Sequence, residues 1–127
     1  MQDADLFDVV ELVVDLPQHG LYAGMQGTVL DAHDAGGAFE VEFSDEQGQA
    51  IIFLALTPEQ FVVVWRAKRQ QWVPLAERIA ELVTRLPQPA GAEVFDFARF
   101  LNVRAQRVAH PPAAPLSVAE TQEEYRT

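Results

Sequence analysis

Glu40 and Glu42 stand two residues apart in Phe39-Glu40-Val41-Glu42-Phe43, a strictly alternating apolar and acidic segment. Side chains at i and i+2 of a strand share a face. Two carboxylates so placed can do general acid–base chemistry when burial raises the pKa of one of them. Here the alternation sends Phe39, Val41 and Phe43 to a core, so both carboxylates are expected to point to water. His19, His33 and His110 fall in a turn, near a hairpin and close to the C-terminal end. Only His33 has a possible ligand beside it, Asp34, and no metal site is expected. Ser44 and Ser117 lack the strand–turn–helix setting of an activated nucleophile. Gly20, Gly24 and Gly27 follow a Gly-x-x-x-Gly-x-x-Gly spacing without the Lys and the following helix of a phosphate loop, so turn formation is the expected role. The chain has no cysteine, which excludes disulfides and thiolate metal sites. No catalytic residue, cofactor or metal is therefore expected, and the protein is expected not to be an enzyme.

Charge is the stronger signal. The net charge is −10 over 127 residues, and it is unevenly spread. Met1 to Trp65 hold twelve acidic residues and no Lys or Arg, whereas Arg66 to Thr127 hold seven acidic and nine basic ones. A domain without positive charge repels phosphate backbones, which argues against nucleic acid as a partner. The acidic residues either steer a basic partner or simply keep the protein soluble. Asp31, Asp34, Glu40, Glu42, Asp45 and Glu46 are the candidates for a partner-binding acidic face.

The elements that must position them read as follows. Val9–Val14, Gly27–Ala32, Phe39–Phe43, Ile51–Leu56 and Phe61–Trp65 have strand character, separated by turn chemistry at Asp15–Gly20, Asp34–Gly37 and Ser44–Gly48. Thr57-Pro58-Glu59-Gln60 suits one helical turn, with Thr57 as cap and Pro58 first. Five short strands at this spacing predict a small closed β-barrel over 1–65, since closure removes apolar edges. Residues 66–74 read as a basic linker, with Arg66-Ala67-Lys68-Arg69 bracketed by Trp65 and Trp72. Pairing of that cluster with the acidic barrel is expected, and stacking on bases is the other use of such a pattern. Leu75, Ile79, Leu82, Val83 and Leu86 mark one face of a helix. Leu86 to Gly91 break it, and a second helix is expected from Ala92 to Val108, giving a helical hairpin over 75–108. The fold class is thus α+β: a five-stranded barrel, a two-helix hairpin and a flexible tail over 109–127. On the second helix Phe95 and Phe100 flank the Val94–Phe97–Leu101 stripe, a wider apolar belt than one contact needs. The barrel, a second copy or a partner could cover it.

The longest apolar run, Ala50–Leu56, is too short for a membrane span, which takes about 20 residues. The first residues carry no basic and apolar signal pattern. A soluble, cytoplasmic protein is expected.

Two resemblances complete the picture. Asp8-Val9-Val10-Glu11-Leu12, Asp15-Leu16-Pro17, Gly20-Leu21, Gly24-Met25-Gln26-Gly27-Thr28-Val29, Glu40-Val41-Glu42-Phe43 and Leu54-Ala55-Leu56 resemble a family of short uncharacterised bacterial domains, itself similar to the Src-homology-3-like barrels. The glycine spacing also resembles that of certain ribosomal and transcription-factor barrels. Leu75 to Leu101, with its Leu86-Pro87 break and Val94-Phe95-Asp96-Phe97-Ala98-Arg99-Phe100-Leu101, is similar to a second short bacterial family, although Pro89-Ala90-Gly91 replaces the acidic residues of its loop. Both families are associated with toxin-like proteins and antitoxins. The resemblance implies an antitoxin or immunity role; with the acidic face it gives a protein that occludes a basic, toxin-like partner, while the apolar belt of the second helix offers Phe95 and Phe100 as anchors or a surface for self-association. The alternatives are an accessory or assembly subunit of an enzyme complex and, more weakly, an RNA- or ribosome-associated barrel.

Overall fold

The structure, a computed structural model, describes residues 4–109, apart from the side chains of Ala50 and Ile51. The expected tail lies outside the described residues from 110 onward. Six strands form one antiparallel sheet: β1 (Val9–Leu12), β2 (Gln26–His33), β3 (Ala38–Ser44), β4 (Ala50–Leu56), β5 (Phe61–Arg66) and β6 (Gln71–Trp72), in the order β4-β3-β2-β1-β5-β6. Helices α1 (Leu75–Val83) and α2 (Gln88–Ala109) follow. Two compact units divide the chain, one up to Leu86 and one from Pro87 onward. α1 thus groups with the sheet, and α2 belongs to the second unit.

The expected closed five-stranded barrel is corrected to an open sheet of six strands. Closure needs the outer edge of β5 to be free. The segment taken for a linker turns at Ala67–Gln70 and returns as β6, pairing Trp72 with Trp65 and Gln71 with Arg66. Part of that edge is thereby filled, and the Val73 N–H extends the pairing to the Val64 carbonyl at 2.9 Å. Gln70 takes a left-handed conformation (φ 52°) to make so tight a return.

The alternation of β3 places Phe39, Val41 and Phe43 in the core and Glu40 and Glu42 outside it, as expected. Val10, Leu12, Leu16, Leu21, Val29, Leu56, Phe61 and Val63 complete the core. Phe39 meets Phe61 edge-on, with ring centroids 5.7 Å apart, the arrangement aromatic quadrupoles favour. β5 is buried on both faces, with Phe61, Val62, Val63 and Val64 all buried, and α1 packs against it. The Thr57 N–H donates to Gln60 Oε1 at 2.9 Å, securing the single turn ahead of β5.

The glycine motif divides its work. Gly20 (φ 71°) and Gly24 (φ 98°) turn the chain, whereas Gly27 makes room. A Cβ on Gly27 would sit 2.6 Å from Val41 Cγ1 and 2.9 Å from the Glu42 carbonyl oxygen. Gly27→Ala is expected to cost about 1–3 kcal/mol through overpacking. A urea titration that finds less than half a kcal/mol would show that β2 and β3 can move apart at no cost.

The helices depart from expectation in two ways. α2 begins at Gln88, four residues earlier than its expected start at Ala92. Pro89 lies in the first turn, where a missing N–H costs nothing, and the Gly91 N–H bonds the Pro87 carbonyl at 3.0 Å. α1 turns its polar side to the sheet. Arg85 Nη1 donates to the Phe61 carbonyl at 2.9 Å, its Nη2 meets Glu81 Oε2 at 3.2 Å, and Arg78 Nε donates to the Val73 carbonyl at 3.1 Å. The apolar face of Leu75, Ile79, Leu82 and Leu86 is left exposed.

Candidate partner-binding face

β3 carries the site. Glu40 and Glu42 leave its outer face, and the register fixes their neighbours. Glu42 lies between Thr28 of β2 and Phe53 of β4, and Glu40 between Asp31 of β2 and Ala55 of β4. Cross-strand neighbours of this kind have Cβ atoms about 4.5–5.5 Å apart. Phe53 is 56% exposed, an aromatic ring beside carboxylates on an open sheet face.

Asp31 reaches this face through a β-bulge. From Val29 to Asp31 the chain of β2 advances two residues while β3 advances one, so Val29 opposes Val41 and Asp31 opposes Glu40. Strict alternation from Val29 would have pointed Asp31 into the core. The extra residue re-aims it outward, a recurrent use of bulges near binding surfaces. One Asp31 oxygen accepts the Ala32 N–H at 2.8 Å. His33 Nε2 stands 3.9 Å from Asp31 Oδ2 and 3.7 Å from Glu40 Oε1. A protonated His33 can therefore pair with both carboxylates. Like charges directly opposite each other destabilise a sheet, and an incoming cation relieves that cost.

The structure brings Asp31, Glu40 and Glu42 together and places the other sequence candidates around them. Asp34 sits in the β2–β3 turn, in a left-handed conformation with φ 53°. Asp45 and Glu46 lie in the turn at the opposite end of β3. Asp45 is partly committed there, since its Oδ1 accepts the Gln47 and Gln49 N–H groups, each at 2.9 Å. Phe95 and Phe100 are on α2, in the second unit, 64% and 55% exposed. Along that helix Arg99 lies over the Phe95 ring at 5.3 Å, Arg104 over Phe100 at 5.7 Å, and Phe97 stacks on Phe100 at 6.0 Å.

Sequence reasoning missed Phe53 and Asp8. Phe53 sits in an uninterrupted apolar strand, where no alternation distinguishes the two faces. Asp8 is fully buried. Its carboxylate accepts the Asp5 N–H at 2.8 Å, the Ala67 N–H at 2.8 Å and Arg66 Nη1 at 3.3 Å. Lys68 Nζ lies 3.7 Å from Asp5 Oδ2. Two members of the basic cluster thus pair with the acidic first segment, as the charge pattern suggested.

A cleft of about 650 Å³ runs between α1 and the sheet, lined by Phe39, Phe61, Val62, Arg78, Glu81 and Arg85. Its Glu81–Arg85 pair holds α1 in place, so its polar groups serve the fold. Among the described residues no three His, Cys, Asp or Glu side chains are grouped to hold a metal ion. No helix among them is long and apolar enough to cross a membrane.

Residues 6–63 match a family described as Domain of unknown function (DUF4926). The match spans β1 to β4 and the first half of β5, and so includes the whole acidic face and Asp8. It stops short of β6 and both helices. No curated protein and no solved structure matches the chain.

Proposed function

We propose that the protein is a non-catalytic binding module whose acidic sheet face holds a basic partner protein, in the manner of an antitoxin or immunity protein. One observation carries this reading: the exposed Phe53 ring lies directly beside Glu42, with Glu40 and the bulge-directed Asp31 on the same face. An aromatic anchor next to surface carboxylates suits a partner surface that pairs Arg or Lys with apolar area. The carboxylates accelerate encounter and fix orientation, and Phe53 supplies buried apolar area. The action is occlusion, since the module covers the partner's working surface and performs no reaction.

The test uses the full chain and a Glu40→Lys/Glu42→Lys variant as baits in a native-host extract, read by mass spectrometry. A basic protein is expected on the wild-type bait, weakened by salt and reduced roughly tenfold or more on the variant. Equal retention of the same protein by both baits would sink the acidic-face reading. So would a set of specific partners that are all acidic.

A further inference from the structure

α2 runs for 22 residues without a buried one. Helices in proteins draw most of their stability from packing an amphipathic face, so such a helix calls for a cover. Its surface has a definite chemistry. Phe95, Phe97, Phe100 and Val103 are all more than 40% exposed. Phe97, Phe100, Arg104 and Arg107 fall within about 80° of one another around the helix, at about 100° per residue, while Arg99 lies apart and pairs with Asp96 at 2.7 Å. From Phe97 to Ala109 there are three arginines and no acidic residue. The face is basic and aromatic.

The chain itself carries the complementary surface. Phe53, Glu40, Glu42 and Asp31 form a face that is acidic and aromatic, on a domain with no Lys or Arg before Arg66. The two match in charge. Glu40 and Glu42 lie about 7 Å apart along β3, and Arg104 and Arg107 about 4.5 Å apart along the helix axis. Guanidinium groups also suit carboxylates better than ammonium groups do, because the planar fork can bond both oxygens.

We infer that the basic–aromatic face of α2 docks on the acidic outer face of the sheet in a second copy of this chain. Arg104 and Arg107 meet Asp31, Glu40 and Glu42, and Phe97 and Phe100 cover Phe53. Exchanged reciprocally, the contact closes a two-fold dimer. It occupies the surface proposed above for a basic partner, so the second copy and the partner compete. The inference rests on that face being a docking surface, but it needs no outside protein.

Sedimentation of the pure full chain over a range of concentrations and salt provides the test. A dimer is expected at low salt, dissociating as salt screens the exposed charges. Arg104→Glu/Arg107→Glu and Glu40→Arg/Glu42→Arg are each expected to be monomeric. Their equimolar mixture is expected to form a one-to-one complex, which also proves both variants folded. A wild-type chain that stays monomeric at every concentration overturns the inference, as does association that neither reversal weakens. A dimer found alongside a failed pull-down leaves self-docking standing, whereas a captured basic partner with a strictly monomeric chain removes self-docking alone.

Discussion

Replacing Asp8 with Ala is expected to lower the free energy of unfolding by about 3–5 kcal/mol, the usual cost of removing one member of a buried charged pair. Asp8 is fully buried, and Arg66 opposite it is 16% exposed in its side chain. Removing the carboxylate takes one partner from that guanidinium and leaves two backbone N–H groups, those of Asp5 and Ala67, without their acceptor. The clamp also joins distant parts of the chain. It ties the segment before β1 to the end of β5 and the turn after it, 58 and 59 residues away, while the Asp8 carbonyl accepts the Val29 N–H at 2.9 Å. Phe7, next to it, is held at φ 69°. A bulky residue in the left-handed region costs on the order of 1–3 kcal/mol and persists only where its surroundings fix it. Urea unfolding followed by tryptophan fluorescence is the direct measurement, since Trp65 lies beside Arg66. Asp8→Asn, which keeps an acceptor, is expected to fall between wild type and Asp8→Ala. A loss under 1 kcal/mol for Asp8→Ala would mean that water replaces the carboxylate and the site is not truly dry.

The second large effect is expected at Phe39. Phe39→Ala should cost about 3–5 kcal/mol, combining lost transfer energy with the cavity left behind. The ring is 2% exposed and its main aromatic neighbour is Phe61, which joins β3 to β5 across the core. The midpoint of unfolding should fall without a change in the urea slope, because the same surface is exposed on unfolding. Phe53→Ala, on the outer face of the next strand, should change stability by no more than about 0.5 kcal/mol. Equal losses at the two positions would refute the assignment of faces. The contrast separates a ring kept for folding from one kept for contact.

How much of this was legible in the sequence depends on whether a residue's setting is local. The inward Phe39, Val41 and Phe43 and outward Glu40 and Glu42 were readable, because a strand's period of two is written directly in the residues. The turn at Thr57–Gln60 was readable for the same reason. The open sheet was not, because pairing of Trp65 with Trp72 is a choice between a linker and a hairpin that composition leaves undecided. The bulge at Leu30 was equally hidden, since one inserted residue shifts Asp31 to the other face without changing the local pattern. α1 shows the limit most clearly. Its apolar spacing gave the helix but not its orientation, and the arginines that bind backbone carbonyls of β5 and of the loop before α1 decided which side faces the sheet. Asp8 escaped notice because its partners are far along the chain.

The strand order leaves β4 at a rim of the sheet, and Ala50–Leu56 contains no charged residue and no proline. Natural sheets commonly guard such a rim with Lys, Pro or a covering segment. Among the described residues no strand pairs with the outer edge of β4, and the surplus of negative charge over the first half opposes rim-to-rim contact between like molecules. That protection depends on solution conditions, being weakest near the isoelectric point of about 4.5 and in concentrated salt. The same carboxylates that invite a basic visitor thus act as the molecule's insulation against stacking into fibres.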